Sequence, residues 1–115
     1  MNIEEYRDYC LSFTSASESF PFNETVLVFK VLDKIFSLAE VESFNGINVK
    51  CNPEEAIELR EHYFGVTPAF HMSKKHWNTI AVDGSISDNL IKGWIKDSYS
   101  LVVSKMTKKK QAEIG

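Results

Sequence analysis

At 115 residues, with 43% hydrophobic and 25% charged content, the chain fits one globular domain that can bury a core without help from metal or disulfides. Two cysteines exclude a secreted disulfide framework, and the opening from Met1 to Asp8 is acidic and polar rather than a leader. No apolar run approaches the roughly twenty residues of a membrane span, so a cytoplasmic protein with no membrane partner is expected.

Asn2 is placed to cap a first helix, with Glu5 completing a capping box. Ile3, Tyr6, Cys10 and Phe13 then form one helical stripe, which ends in a small, polar stretch from Thr14 to Ser19 read as a loop. Thr25–Leu32 is β-branched and apolar on both faces, the pattern of a covered strand. Ile35–Val41 returns antiparallel after an Asp33-Lys34 turn, and Ile47–Cys51 alternates apolar and polar, so one face of that strand meets solvent or a partner. Asn52-Pro53-Glu54-Glu55 combines an N-cap, proline at the first helical position and acids in the first turn, which starts a second helix running to about Tyr63. Val66–His71 reads as an edge strand because of Pro68, and Ser73-Lys74-Lys75 turns the chain into a fifth strand, His76–Val82. Ser87 caps a last helix whose stripe includes Leu90, Ile91, Trp94, Ile95, Leu101 and Val102. Residues 108–115 read as a frayed basic tail. The order is α-β-β-β-α-β-β-α in a single domain over residues 1–115. Cys10, on the first stripe, and Cys51, at a strand end, are expected to be buried thiols.

Phe20-Pro21-Phe22, Asn48-Val49-Lys50-Cys51-Asn52-Pro53 and above all His71-Met72-Ser73-Lys74-Lys75-His76-Trp77-Asn78-Thr79 give the chain its resemblance to the MmcQ/YjbR family, as does the stretch Ser98–Lys105. The resemblance spans nearly the whole chain. It departs from the family pattern at Thr14-Ser15, Phe64 and Ala69, all of which fall in loops or strand ends. It implies a compact α+β fold similar to that of the frataxin-like CyaY proteins, and a suggested DNA-binding role. The expected architecture is α+β, a five-stranded antiparallel sheet with three helices, the first and last packing on one face through Tyr6, Phe13, Trp94 and Leu101. Likeness to an iron-binding fold does not transfer its function.

The net charge of −3 argues against a dedicated nucleic-acid binder, yet the charge is unevenly spread. Residues 1–66 carry twelve acids against five bases, and residues 67–115 carry four acids against eight bases. The candidate site is the hairpin Lys74, Lys75, His76, Trp77 and Asn78. Its lysines suit phosphate, its indole suits stacking or core support, and His76 and Asn78 suit polar readout of bases. Lys108, Lys109 and Lys110 would add non-specific attraction. The plainer interpretation is an exposed turn with Trp77 in the core.

A metal site built on His71, His76 and His62 lacks a third ligand at diagnostic spacing, and Glu54, Glu55, Glu58 and Glu61 also describe a solvated helix face. Catalysis by His71 or His76 with Asp83 or Ser73 has no recognisable motif behind it, and no cofactor loop is present, so neither enzyme activity nor a cofactor is expected. The expected protein is therefore a small DNA-binding or regulatory domain. The alternative is a protein-interaction module, a monomer or weak homodimer joined through the Val66–His71 edge.

Overall fold

In the computed structural model, which describes residues 1–115, the capping box at Asn2 is formed as expected. The Asn2 side chain accepts from Glu5 N at 2.8 Å and Glu5 Oε1 accepts from Asn2 N at 3.1 Å, opening helix α1 (Ile3–Leu11). The strands are β1 (Ala16–Ser19), β2 (Val26–Val31), β3 (Lys34–Glu40), β4 (Gly46–Lys50), β5 (Val66–Pro68) and β6 (Trp77–Ala81). Helix α2 (Pro53–His62) lies between β4 and β5, and α3 (Asp88–Ser104) follows β6, capped by Ser87 as the sequence predicts. Every pairing is antiparallel, in the order β1-β2-β3-β4-β6-β5.

The sheet has six strands, not the expected five. Ala16–Ser19, read as a loop from its small polar residues, pairs with Val28–Val31 and forms one edge. Its strand state is imposed by β2, since nothing in its own composition favours one. Ser15, with φ 61, makes the sharp entry, and Arg7 on α1 donates to both Glu18 oxygens at 2.6 and 2.7 Å.

Alternation along the strands sorts the sheet into two unequal faces. Leu27, Phe29, Ile47, Val49, Asn78 and Ile80 point toward the helices, where they meet Tyr6, Ile91 and Ile95 in the main core. Phe13 reaches that core by stacking on Tyr99 at 4.7 Å and meeting Phe36 edge-on at 5.8 Å. Trp94, also in the core, packs against Tyr63, the residue just past α2, at 5.0 Å. The opposite face holds a small second cluster of Val28, Leu38, Ala69 and Trp77. No helix covers this second cluster, whose lid is the Ala69–His76 connection.

The β2–β3 register slips after Phe29, leaving Phe36 as an extra residue of β3. Phe36 and Ser37 consequently both turn toward the helices, Ser37 bonding Tyr6 at 2.8 Å, and β3 is buried at four successive positions. Ser98 of α3 satisfies the irregularity: its hydroxyl donates to Phe36 O at 2.6 Å and accepts from Lys50 N at 2.8 Å. Past α3 the chain does not fray. Thr107 caps a fourth helix, α4 (Lys108–Ala112), and Gln111 donates to Val103 O and Met106 O. The basic run is thus held against α3 by a cap and a side-chain amide, and Ile114 packs on the core. Both cysteines are buried and free. No helix is long and apolar enough to cross a membrane.

Candidate functional site

β5 and β6 do pair, but the link between them is longer than the tight turn expected at Ser73-Lys74-Lys75. Only Val66–Pro68 is strand, and Ala69–His76 loops out over the sheet face. Its end is a single helical turn, with His76 N and Trp77 N both donating to Ser73 O, at 3.1 and 2.9 Å. Lys74 and Lys75 are exposed at the crest of this turn and His76 is half-buried. Lys74 Nζ stands 5.5 Å from the centre of the Phe70 ring.

The two remaining hairpin residues point inward. Trp77 is only 8% exposed and fills the second cluster with Val28 and Leu38, so the core-support role applies and the stacking role does not. Asn78 is fully buried on the helix side. Its Oδ1 accepts from Arg60 Nε at 2.6 Å and its Nδ2 donates to Ala56 O at 3.2 Å. Arg60 also donates to the carbonyls of Lys74 and Trp77. Asn78 is therefore a strut that ties β6 and the lysine turn to α2, with no edge left to read a base. Arg60, which the sequence did not single out, positions the turn.

Antiparallel register places the lysines. The start of β6 lies beside the end of β4, which lies beside the start of β3, itself joined to the end of β2. Lys34, Lys50, Lys74 and Lys75 accordingly belong to one end of the sheet. Lys110 reaches that end too, 3.8 Å from Asp33 in the β2–β3 turn. Lys34, Lys50, Lys74, Lys75, Lys108 and Lys109 have no carboxylate within 4.0 Å, whereas Asp33 partners Lys110.

Beside the Ala69–His76 loop, the uncovered sheet face holds a groove of about 810 Å³. Phe22 and Phe70, 64% and 80% exposed, contribute to its walls with Met72. Its polar lining comprises Glu40, Asn48 and Thr79 on the sheet, with Asn23, Asn45 and His71 from the loops. Thr79 Oγ1 donates to Asn48 Oδ1 at 2.5 Å and Asn48 Nδ2 donates to Leu38 O at 3.2 Å, which fixes both side chains. Glu40 Oε1 accepts from Thr25 Oγ1 at 2.8 Å, while Glu40 Oε2 is shut off from solvent and has no hydrogen-bond partner. Such an oxygen bears an uncompensated desolvation cost.

The YjbR family pattern matches residues 11–101. The chain belongs to the YjbR family. It is 32% identical over 112 residues to YjbR of Escherichia coli K12, an uncharacterized protein, covering 96% of this chain and 95% of that one. It is 35% identical over 95 residues to the uncharacterized YbdF of Escherichia coli O157:H7, covering 82% and 78%. A Deinococcus radiodurans protein, DR2400, with the domain DUF419, has a crystal structure similar to this fold at TM-score 0.91 and 32% identity, over 99% of this chain and 88% of that one. A Pseudomonas syringae protein superposes at TM-score 0.75 and 27% identity, over 88% and 98%.

Within this YjbR-family chain, His76 and Asp83 cannot form a dyad, because they flank opposite ends of β6 and the Asp83 carboxylate caps Ser85 N at 2.9 Å. His71 lines the groove, whereas His62 bonds Glu58 O on α2, and no three His, Cys, Asp or Glu side chains cluster as metal ligands. Two features of the sequence belong to the groove. One is the polar alternation of β4 at Asn48, and the other is the pair of aromatics flanking Pro21. What neither signal shows is that β3, β4 and β6 present Glu40, Asn48 and Thr79 on one face.

Proposed function

We propose that this protein is a non-catalytic nucleic-acid-binding domain of the cytoplasm, regulatory in character, that holds phosphates on Lys74 and Lys75. The observation that carries the reading is the set of lysines without carboxylate partners at one end of the sheet, with Lys74 and Lys75 on a turn braced by Arg60. Bracing lowers the entropy cost of presenting two cations to a phosphate chain. Lys108 and Lys109 add attraction from α4, and the negative total charge is compatible with a locally positive surface. Helices on one face of an antiparallel sheet also suit the CyaY-like reading of the fold, which carries no function across.

Fluorescence anisotropy on a labelled duplex and a matched single strand, over a range of salt, tests the proposal. Wild type is expected to bind with steep salt dependence, and Lys74→Glu/Lys75→Glu to lose most of the binding. Each lysine removed is expected to lower the salt slope by about one. Absence of binding by folded wild type at low salt refutes it. A protein partner is the second reading, favoured by the exposure of Ile57 on α2 and of Phe64 just before the edge strand β5; a salt-insensitive complex would select it.

A further inference from the structure

We propose that the groove on the uncovered sheet face is a nucleobase site, in which a flat heteroaromatic ring lies against Phe22 and Phe70 and donates its exocyclic amino group to Glu40. The inference deepens the nucleic-acid reading and rests on it for the polymer, but the groove itself is built from other residues.

Three observations converge. Phe22, before β2, and Phe70, after β5, keep most of their surface in water at the groove's rim, and exposed rings beside such a groove are platforms for base stacking. The volume of about 810 Å³ suits a nucleoside-sized ligand. The polar groups are selective: Glu40 brings a carboxylate with one unpartnered oxygen, beside Asn48 and Thr79 already locked to each other. Bringing Oε2 to a donor in the groove turns the carboxylate away from Thr25, and the bond from the amino group replaces the one given up.

Other occupants fit less well. Phosphate would be repelled by Glu40, and an aliphatic chain would leave Glu40 Oε2 without a donor. An amino-bearing base satisfies the carboxylate and covers the rings together. It also agrees with Lys74, whose ammonium lies 5.5 Å from the Phe70 ring centre, so that a base on that ring has its phosphate near the lysine turn. Base in the groove and phosphate on the loop are two parts of one strand contact.

Amide NMR titrations of the whole chain with free nucleosides, which lack phosphate, test the groove apart from the lysines. Cytidine and adenosine are expected to shift the amides of Asn23, Gly46, Asn48 and Met72. Uridine and purine riboside, which lack the amino group, should bind about tenfold more weakly. Phe22→Ala and Phe70→Ala remove exposed rings, leave the fold intact and should abolish the shifts. Glu40→Gln, checked by thermal melting, should erase or reverse the cytidine preference, because its amide offers a donor to the uridine carbonyl.

Equal response to cytidine and uridine, shifts away from the groove, insensitivity to both phenylalanine variants, or no shifts at millimolar nucleoside each overturns the proposal. Binding of agmatine in place of cytidine overturns it too, and points to a guanidinium of a protein partner. Strand binding that needs Lys74 and Lys75 while nucleosides ignore the groove refutes this site alone. Nucleoside binding without any dependence of strand binding on the lysines refutes the phosphate reading alone.

Discussion

Asn78 is the residue at which a surface reader and a buried strut make opposite forecasts. Replacing it by Ala removes the charge-assisted bond from Arg60 Nε at 2.6 Å and the bond to Ala56 O at 3.2 Å. The first is worth about 2 kcal/mol and the second about 1 kcal/mol, so Asn78→Ala should cost about 3 kcal/mol. For a domain of this size each kcal/mol lowers Tm by about 4 °C, giving a drop of about 12 °C in thermal melts followed by circular dichroism. A double-mutant cycle sharpens the test, because Arg60→Ala leaves Asn78 Oδ1 buried without its donor. The double variant should therefore cost less than the sum of the singles by about 1.5 kcal/mol. Strand affinity, measured at a temperature where the variant is folded, should fall only as far as the lysine turn loosens. A melt within about 3 °C of wild type combined with lost strand binding would refute the reasoning and return Asn78 to the role of a reader.

Ser98→Ala strands Phe36 O and Lys50 N, both served by one hydroxyl at 2.6 and 2.8 Å, and should cost about 2 kcal/mol in urea unfolding with an unchanged m-value; a cost near zero would mean that the bulged strand pairs β4 without it. Burial pushes the Cys51 thiol up to about 11, with Glu55 adding to the rise, and pushes Cys10 higher still. In each case the native state holds the proton more tightly, so this contribution to stability is complete below the unfolded thiol value of 9.0 and is lost as pH rises toward 11. Urea midpoints should decline from about pH 9 upward, less so in Cys51→Ser, and a thiol reagent should label native protein slowly at pH 8; fast labelling or a flat alkaline profile would contradict the burial.

Local signals in this chain were readable because each is complete within a few residues. The Asn2–Glu5 box and the Ser87 cap bond backbone groups one turn away and form where the sequence predicts, and α2 opens at Pro53 as expected, though the Asn52 side chain makes no cap bond there. Alternation in β4 likewise fixed Ile47 and Val49 as interior and left Asn48 for the other face. β1 and α4 differ from the sequence expectation because what orders them lies elsewhere in the fold. Ala16–Ser19 becomes strand only through the free edge of β2, and the lysine run is ordered by Thr107 and by Gln111 reaching back to Val103.

The hairpin shows the same division at the candidate site. The sequence alone placed two lysines on an exposed turn, since charged side chains at a loop crest have nowhere else to go. Whether Trp77 and Asn78 face solvent depends on the strand's orientation and on what lies across it, and α2 supplies Ala56 and Arg60 from across the fold. The groove needed still more: Phe22, Glu40, Asn48, Phe70 and Thr79 come from five separate segments, brought together only when the sheet closes. Cap, period and charge are properties of neighbours in the chain, and the sequence by itself determined them. Which polar groups are left without a partner, and which rings without a cover, is a property of neighbours in space, and only the tertiary structure decided it.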